Sequence, residues 1–186
     1  MRSLKLAAFA GLVCVALGAG FHQIRATHAE AHSLLLNGNL SEWTGSVPNG
    51  WVWLPESPLL SRLSEERRGN PVISIRQPNN FFQDVSDKTL RAGDRVVFEG
   101  FFRTGEANRA FPEIRVWYRD PGAERPRVGA GHRVSVPVGG WQYMRLMAIV
   151  PEDGPDFVRF SVSMNDEMQS PLLVSGLRAY VVPEMP

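Results

Sequence analysis

Several stretches of this chain set apolar side chains against polar or aromatic ones at every second position, and the polar members are of types that can grip a ring. Val96, Phe98 and Phe102 alternate with Val97, Glu99, Phe101 and Arg103, while Ile114, Val116 and Tyr118 alternate with Arg115, Trp117 and Arg119. Successive side chains of a strand point to opposite sides, so if one set meets a core the other faces away from it. By the same rule Ile73 and Ile75 turn Arg76 outward, and Val158, Phe160 and Val162 turn Arg159 outward. One sheet face is therefore expected to combine Trp117 and Phe101 with Arg76, Arg103, Arg115 and Arg159. Exposed aromatic rings stack on apolar ring faces, and guanidinium groups make planar hydrogen bonds to hydroxyls or acidic substituents. Outward Arg and Glu on adjacent strands also pair with one another, the plainer use of the same face.

Catalytic chemistry finds little to work with. His132 is the one histidine after residue 32, and no Ser/His/Asp or Cys/His set gathers around it. Glu99, Glu106, Glu113 and Asp120 fall in neighbouring β regions, where paired carboxylates would serve glycoside hydrolysis. Glu113 follows Pro112 and Asp120 precedes Pro121, however, as strand-end residues do, and no enzymatic activity is expected. Gly139-Gly140 lacks the following helix that a phosphate loop needs and reads as a hairpin turn. His28 and His32 would share a face of a helix, but no carboxylate or cysteine set stands beside them to make a metal site, and they read as linker residues.

Strands must position this chemistry. Besides the two alternating stretches, β candidates are 34–37, 51–54, 72–77, 81–85, 133–138, 142–150, 157–164 and 172–182. Breaker clusters separate them at Pro78-Asn79-Asn80, Ala92-Gly93-Asp94, Asp120-Pro121-Gly122, Val138-Gly139-Gly140 and Pro151 to Pro155. This spacing predicts an all-β, two-sheet β-sandwich or jelly roll. Leu59, Leu60 and Leu63 have helical spacing, but Pro58–Glu66, running on into Arg67-Arg68-Gly69-Asn70, is expected to be a long surface loop.

At 186 residues with 44% hydrophobic content, the chain suits one well-buried domain plus an N-terminal appendage. Net charge is +1 and no basic block interleaves with aromatics, so nucleic acid is not an expected partner. Arg2 and Lys5 precede an apolar run over residues 6–21 that is expected to be helical. A signal-peptide core takes roughly 7–15 apolar residues and a spanning helix roughly 20, so this run fits either a cleaved leader or an uncleaved anchor. Residues 1–32 are accordingly read as signal peptide or membrane anchor plus linker, and 33–186 as the folded domain. Either way the domain is expected outside the cytoplasm: secreted, periplasmic or held at a membrane. Cys14, the one cysteine, lies in the apolar run, which leaves the domain without a disulfide.

The order of landmarks in the domain is its most specific feature. Asn37-Gly38 leads to Gly50-Trp51, Gln83 precedes Leu90-Arg91-Ala92-Gly93-Asp94, Gly140-Trp141 opens a strand that ends at Pro151, and Val174 to Val182 closes the series. This order resembles the galactose-binding-domain-like jelly rolls used as carbohydrate-binding modules, especially families 4, 9, 16 and 22. The resemblance implies a noncatalytic sandwich whose partner is a polysaccharide or oligosaccharide, with Trp43, Trp51 and Trp141 as structural landmarks. It also implies a structural calcium, which this chain puts in doubt. Leu40-Ser41 stands where such modules often carry Phe-Glu, and Ser175-Gly176 where they often carry Asp-Asp. Calcium takes roughly six to eight oxygen ligands. Glu42, Asp153 and Asp156 remain as candidates, and Glu152-Asp153-Gly154-Pro155 reads more simply as a turn. No cofactor is expected.

The expected function is noncatalytic binding of an envelope or extracellular polysaccharide, acidic or rich in hydroxyls. The alternative is a structural or interaction module, anchored by its N-terminal segment and meeting a membrane protein of a polysaccharide-assembly or envelope complex.

Overall fold

Period-two alternation dominates the chain, and the computed structural model carries it into two layers. It describes residues 33–182 apart from 55–59, 77–79, 87–89, 106–109, 119–121 and 165–169. The expected N-terminal helix, with Glu106, Arg119 and Asp120, lies outside the described residues. Strands run Trp43–Thr44 (β1), Val47–Pro48 (β2), Val52–Leu54 (β3), Leu60–Arg67 (β4), Asn70–Ile75 (β5), Asn80–Val85 (β6), Arg95–Arg103 (β7), Ala110–Tyr118 (β8), Arg127–Arg133 (β9), Gln142–Ile149 (β10), Phe157–Met164 (β11) and Leu172–Val182 (β12). There is no helix among the described residues.

The strands form two five-stranded sheets, ordered β10-β7-β12-β5-β4 and β3-β6-β11-β8-β9, with β1-β2 as a small ribbon. The fold class is thus the expected all-β sandwich. Val96, Phe98 and Phe102 of β7 are fully buried, as are Ile114 and Val116 of β8 and Val158, Phe160 and Val162 of β11. Phe98 and Phe160 meet between the sheets with ring centroids 5.5 Å apart. Burying each such side chain is worth about 1.5–3 kcal/mol, and in a domain without disulfides this term carries the stability.

Three segments differ from expectation. Residues 60–67 are no loop: β4 pairs with β5 from Leu60↔Ile75 to Arg67↔Asn70. Arg68 and Gly69 join them with φ of 52° and 78°. Positive φ at both central residues gives the tight turn whose twist suits a hairpin. The leucine spacing misleads because β4 is an edge strand with a register shift between Arg62 and Glu66 and polar, exposed positions along it. Residues 34–37 form no strand, since the chain turns at Asn37 with φ 51°. β9 spans Arg127–Arg133 rather than 133–138, with glycines where apolar residues would have marked it.

The landmarks form one bracket around β6. Gln83 faces inward, where its Oε1 accepts the Leu36 N–H at 2.7 Å and its Nε2 donates to the Leu36 carbonyl at 3.0 Å and the Gly50 carbonyl at 2.7 Å. Gly50 has φ 81°, and a Cβ there would stand 3.0 Å from Gln83 Nε2. Asn37 closes the loop above: its Oδ1 accepts the Ser41 and Glu42 N–H groups, and its Nδ2 donates to the Glu42 and Asn49 carbonyls. Trp51 then stacks on Phe81 at 4.4 Å, which fixes the β3 edge of the second sheet. The Leu90-x-x-Gly-Asp landmark is a turn into β7, in which Asp94 Oδ2 accepts the Arg91 N–H at 2.7 Å and Gly93 takes φ 85°.

Candidate functional site

Two outer faces carry the candidate residues. Alternation along β6, β11 and β8 puts Phe82 and Asp84, Phe157 and Arg159, and Arg115 and Trp117 on the outer side of the second sheet. Trp117 and Phe157 are cross-strand partners, both half-buried, with their rings stacked at 5.8 Å and 19°. Arg159 makes a two-point pair with Asp84, at 2.6 and 2.7 Å, while its guanidinium lies 3.8 Å from the Phe82 ring centroid. Such planar pairs are short and oriented, and they hold the arginine flat against the sheet. Arg115 pairs with Glu113 at 2.9 Å, and Glu113 also lies 3.4 Å from the Ser161 hydroxyl. Glu113, Ser161 and Ser163 are buried although they are on the outer side. Trp117 Nε1 is buried and has no hydrogen-bond partner. A 340 Å³ depression lined by Leu36, Gly50, Asp84 and Ser86 adjoins the same edge.

The other face belongs to the first sheet. Phe101 and Arg103 of β7 lie there with Tyr143 of β10, whose ring is 5.3 Å from Phe101. Arg103 pairs with Glu65 at 3.1 Å. Glu99 accepts both the Tyr143 hydroxyl, at 2.6 Å, and the Tyr180 hydroxyl, at 2.9 Å. Burial first, and then the bond to Glu99, raise the pKa of both phenols. The folded state therefore holds these protons more tightly than the unfolded chain. This contribution is complete below the ordinary tyrosine value near 10 and declines as pH rises past it. Urea melts at pH 9 and pH 11 are expected to show stability falling over that interval, and Tyr143→Phe is expected to flatten the fall.

The six sequence candidates do not share one face. Trp117, Arg115 and Arg159 come together on the second sheet, whereas Phe101 and Arg103 lie on the opposite outside, with exposed Arg76 just past the end of β5. Alternation tells inside from outside within a strand, but β7 and β8 are consecutive strands placed in different layers. The same alternation that turned Arg159 outward also turns out Phe157, and Phe82 and Asp84 follow from inward Phe81 and Gln83; these partners were missed. Trp43 and Trp51 serve as landmarks, Trp51 in the core and Trp43 packed against it, but Trp141 is half-exposed beside Arg67 and Arg103. His132 is exposed on β9. Glu42, Asp153 and Asp156 do not converge, and no group of three or more His, Cys, Asp or Glu is placed to hold a metal ion among the described residues.

No family model and no curated protein matches this chain. Solved structures do. A family 16 carbohydrate-binding module superposes with a TM-score of 0.60 at 12% identity, covering 78% of this chain and 98% of that one. The CBM22-2 xylan-binding domain from Paenibacillus barcinonensis gives 0.52 at 13%, covering 74% and 94%. The enzymatically active domain of Bacteriophage CBA120 tailspike protein 4 gives 0.54 at 12% over 72% of this chain, which spans only 20% of that one. The chain therefore has the jelly-roll fold of the carbohydrate-binding modules.

Proposed function

We propose that this chain is a noncatalytic carbohydrate-binding module whose ligand lies on the outer face of β6, β11 and β8. The observation that carries the reading is the half-exposed Trp117–Phe157 stack, with Arg115 and Arg159 at the next outward positions of β8 and β11. Stacked rings offer a platform to the apolar side of a pyranose, and flanking polar groups meet its hydroxyls. Arg115 and Arg159 already have carboxylate partners, so this face suits a neutral, hydroxyl-rich glycan better than an acidic one. The apolar run of residues 6–21 behind Arg2 and Lys5 supports export, and with it an envelope or extracellular polysaccharide as the target.

A second reading is a membrane-anchored interaction module. Tyr143, Met147 and Ile149 favour it, because they form an exposed, mostly apolar row on edge strand β10. Titration of the full-length protein in mild detergent against neutral and acidic glycan polymers separates the two. Binding of a neutral glycan is expected, and Trp117→Ala is expected to weaken it by roughly tenfold to a hundredfold, about 1.4–2.8 kcal/mol. Unchanged affinity in a folded Trp117→Ala protein would remove the glycan from this face, and no binding to any glycan would favour the interaction module.

A further inference from the structure

Two arginines of the β4–β5 hairpin and Arg103 of β7 meet two aromatic rings on the outer face of the first sheet. Arg67, the last residue of β4, lays its guanidinium 3.4 Å from the Phe101 ring centroid and 5.4 Å from that of Trp141. Arg68 stands 5.5 Å from Phe101, and Arg103 stands 4.9 Å from Trp141. Glu65 answers Arg103. The Nη1 of Arg67, by contrast, is buried with no hydrogen-bond partner. No carboxylate pairs with Arg67 or Arg68 among the described residues, and a carboxylate or sulfate is the acceptor that a guanidinium fork fits best. Burial, and then the neighbouring charge of Arg68, lower the Arg67 pKa.

Arg68 adds an independent observation. It takes φ 52° at the turn, a conformation that glycine and asparagine adopt more readily. The hairpin geometry itself does not call for an arginine at this position. Half-exposed Trp141 and exposed Tyr143 flank the group and offer ring faces next to the cations. An acidic pyranose presents both complements at once, an anionic group and an apolar ring face.

We infer that this outer face of the first sheet is a second ligand site, built by Arg67, Arg68 and Trp141, for the carboxylate or sulfate group of an acidic saccharide. It lies on the opposite side of the sandwich from Trp117 and does not depend on what binds there.

The test is calorimetric titration of the full-length protein in mild detergent with an oligogalacturonate, a sulfated galactan oligosaccharide, unsulfated galactan and inorganic sulfate. Oligogalacturonate or the sulfated oligosaccharide is expected to bind, more weakly as salt is added, and comparison of the two identifies the preferred anion. Arg67→Gln is expected to weaken that binding at least tenfold. Arg68→Asn is expected to weaken it roughly threefold or more while raising the melting temperature, a combination that a purely structural arginine would not give. Trp117→Ala is expected to leave it unchanged, which separates this site from the neutral-glycan face whether or not that face binds. Failure of both acidic oligosaccharides to bind would overturn the proposal. So would full affinity in Arg68→Asn and Arg67→Gln, loss of acidic binding in Trp117→Ala, or inorganic sulfate binding as tightly as the sulfated sugar.

Discussion

Replacing Gln83 with leucine is expected to cost about 3 kcal/mol, although leucine is close in size and the position faces the interior. The loss arises in the groups left behind. Gln83 answers the Leu36 N–H, the Leu36 carbonyl and the Gly50 carbonyl, and leucine would leave all three without a partner. Each such group costs about 1–3 kcal/mol when buried, and the lower figure applies here because the bracket is only partly buried. The effect should appear in urea melts as a lower midpoint with an unchanged m-value. Gln83→Glu sharpens the test, since its carboxylate keeps the shape but faces two carbonyl oxygens with no N–H to offer. A shift below about 1 kcal/mol in both variants would show that residues 34–50 are held by something else.

Trp51→Ala is expected to cost about 3–5 kcal/mol, the range for removing a buried aromatic from a packed core. Trp51 stacks on Phe81 with the rings 8° from parallel, and its Nε1 donates to the Asn37 carbonyl at 3.3 Å. Its loss opens a cavity and also releases the loop that Asn37 closes. Trp51→Phe keeps the stack and should recover most of the loss. The Trp51 and Gln83 substitutions act on one short segment through Gly50, so the double variant should lose less than the sum of the two singles. Additivity within about 0.5 kcal/mol would separate the stack from the bracket energetically.

Much of the architecture was legible because burial writes itself into alternation. β7, β8, β11 and β12 each show an inward apolar set, and the strands at 157–164 and 172–182 fall where the sequence placed them. The landmark order was also legible, since Gly50 and Gly93 require positive φ and Gln83 must reach two separate carbonyls. Sheet membership was not. Nothing local to Phe101 or Trp117 says that their strands belong to different layers, because that is decided by pairing with β12 and β11, far along the chain. The state of the arginines was hidden for the same reason: Arg159 meets Asp84 75 residues away, and Arg103 meets Glu65 38 residues away. Arg67 and Arg68 escaped notice because a polar edge strand with a register shift carries no periodic signal, so no face could be assigned to them.

The position of β12 bears on how the chain reaches this state. The last strand in the sequence is the middle strand of its sheet, seated between β7 and β5. Ahead of it the first described segment docks on it as well, with the Leu34 N–H donating to the Ala179 carbonyl at 2.7 Å and Gly38 so close that a Cβ there would collide with the Leu177 carbonyl oxygen. A nascent chain stopped short of Leu172 would hold β10-β7 and β5-β4 as separate ribbons with open edges and no central partner. Closure over so long a stretch of sequence is slow, and completion of the sandwich waits until β12 has been made.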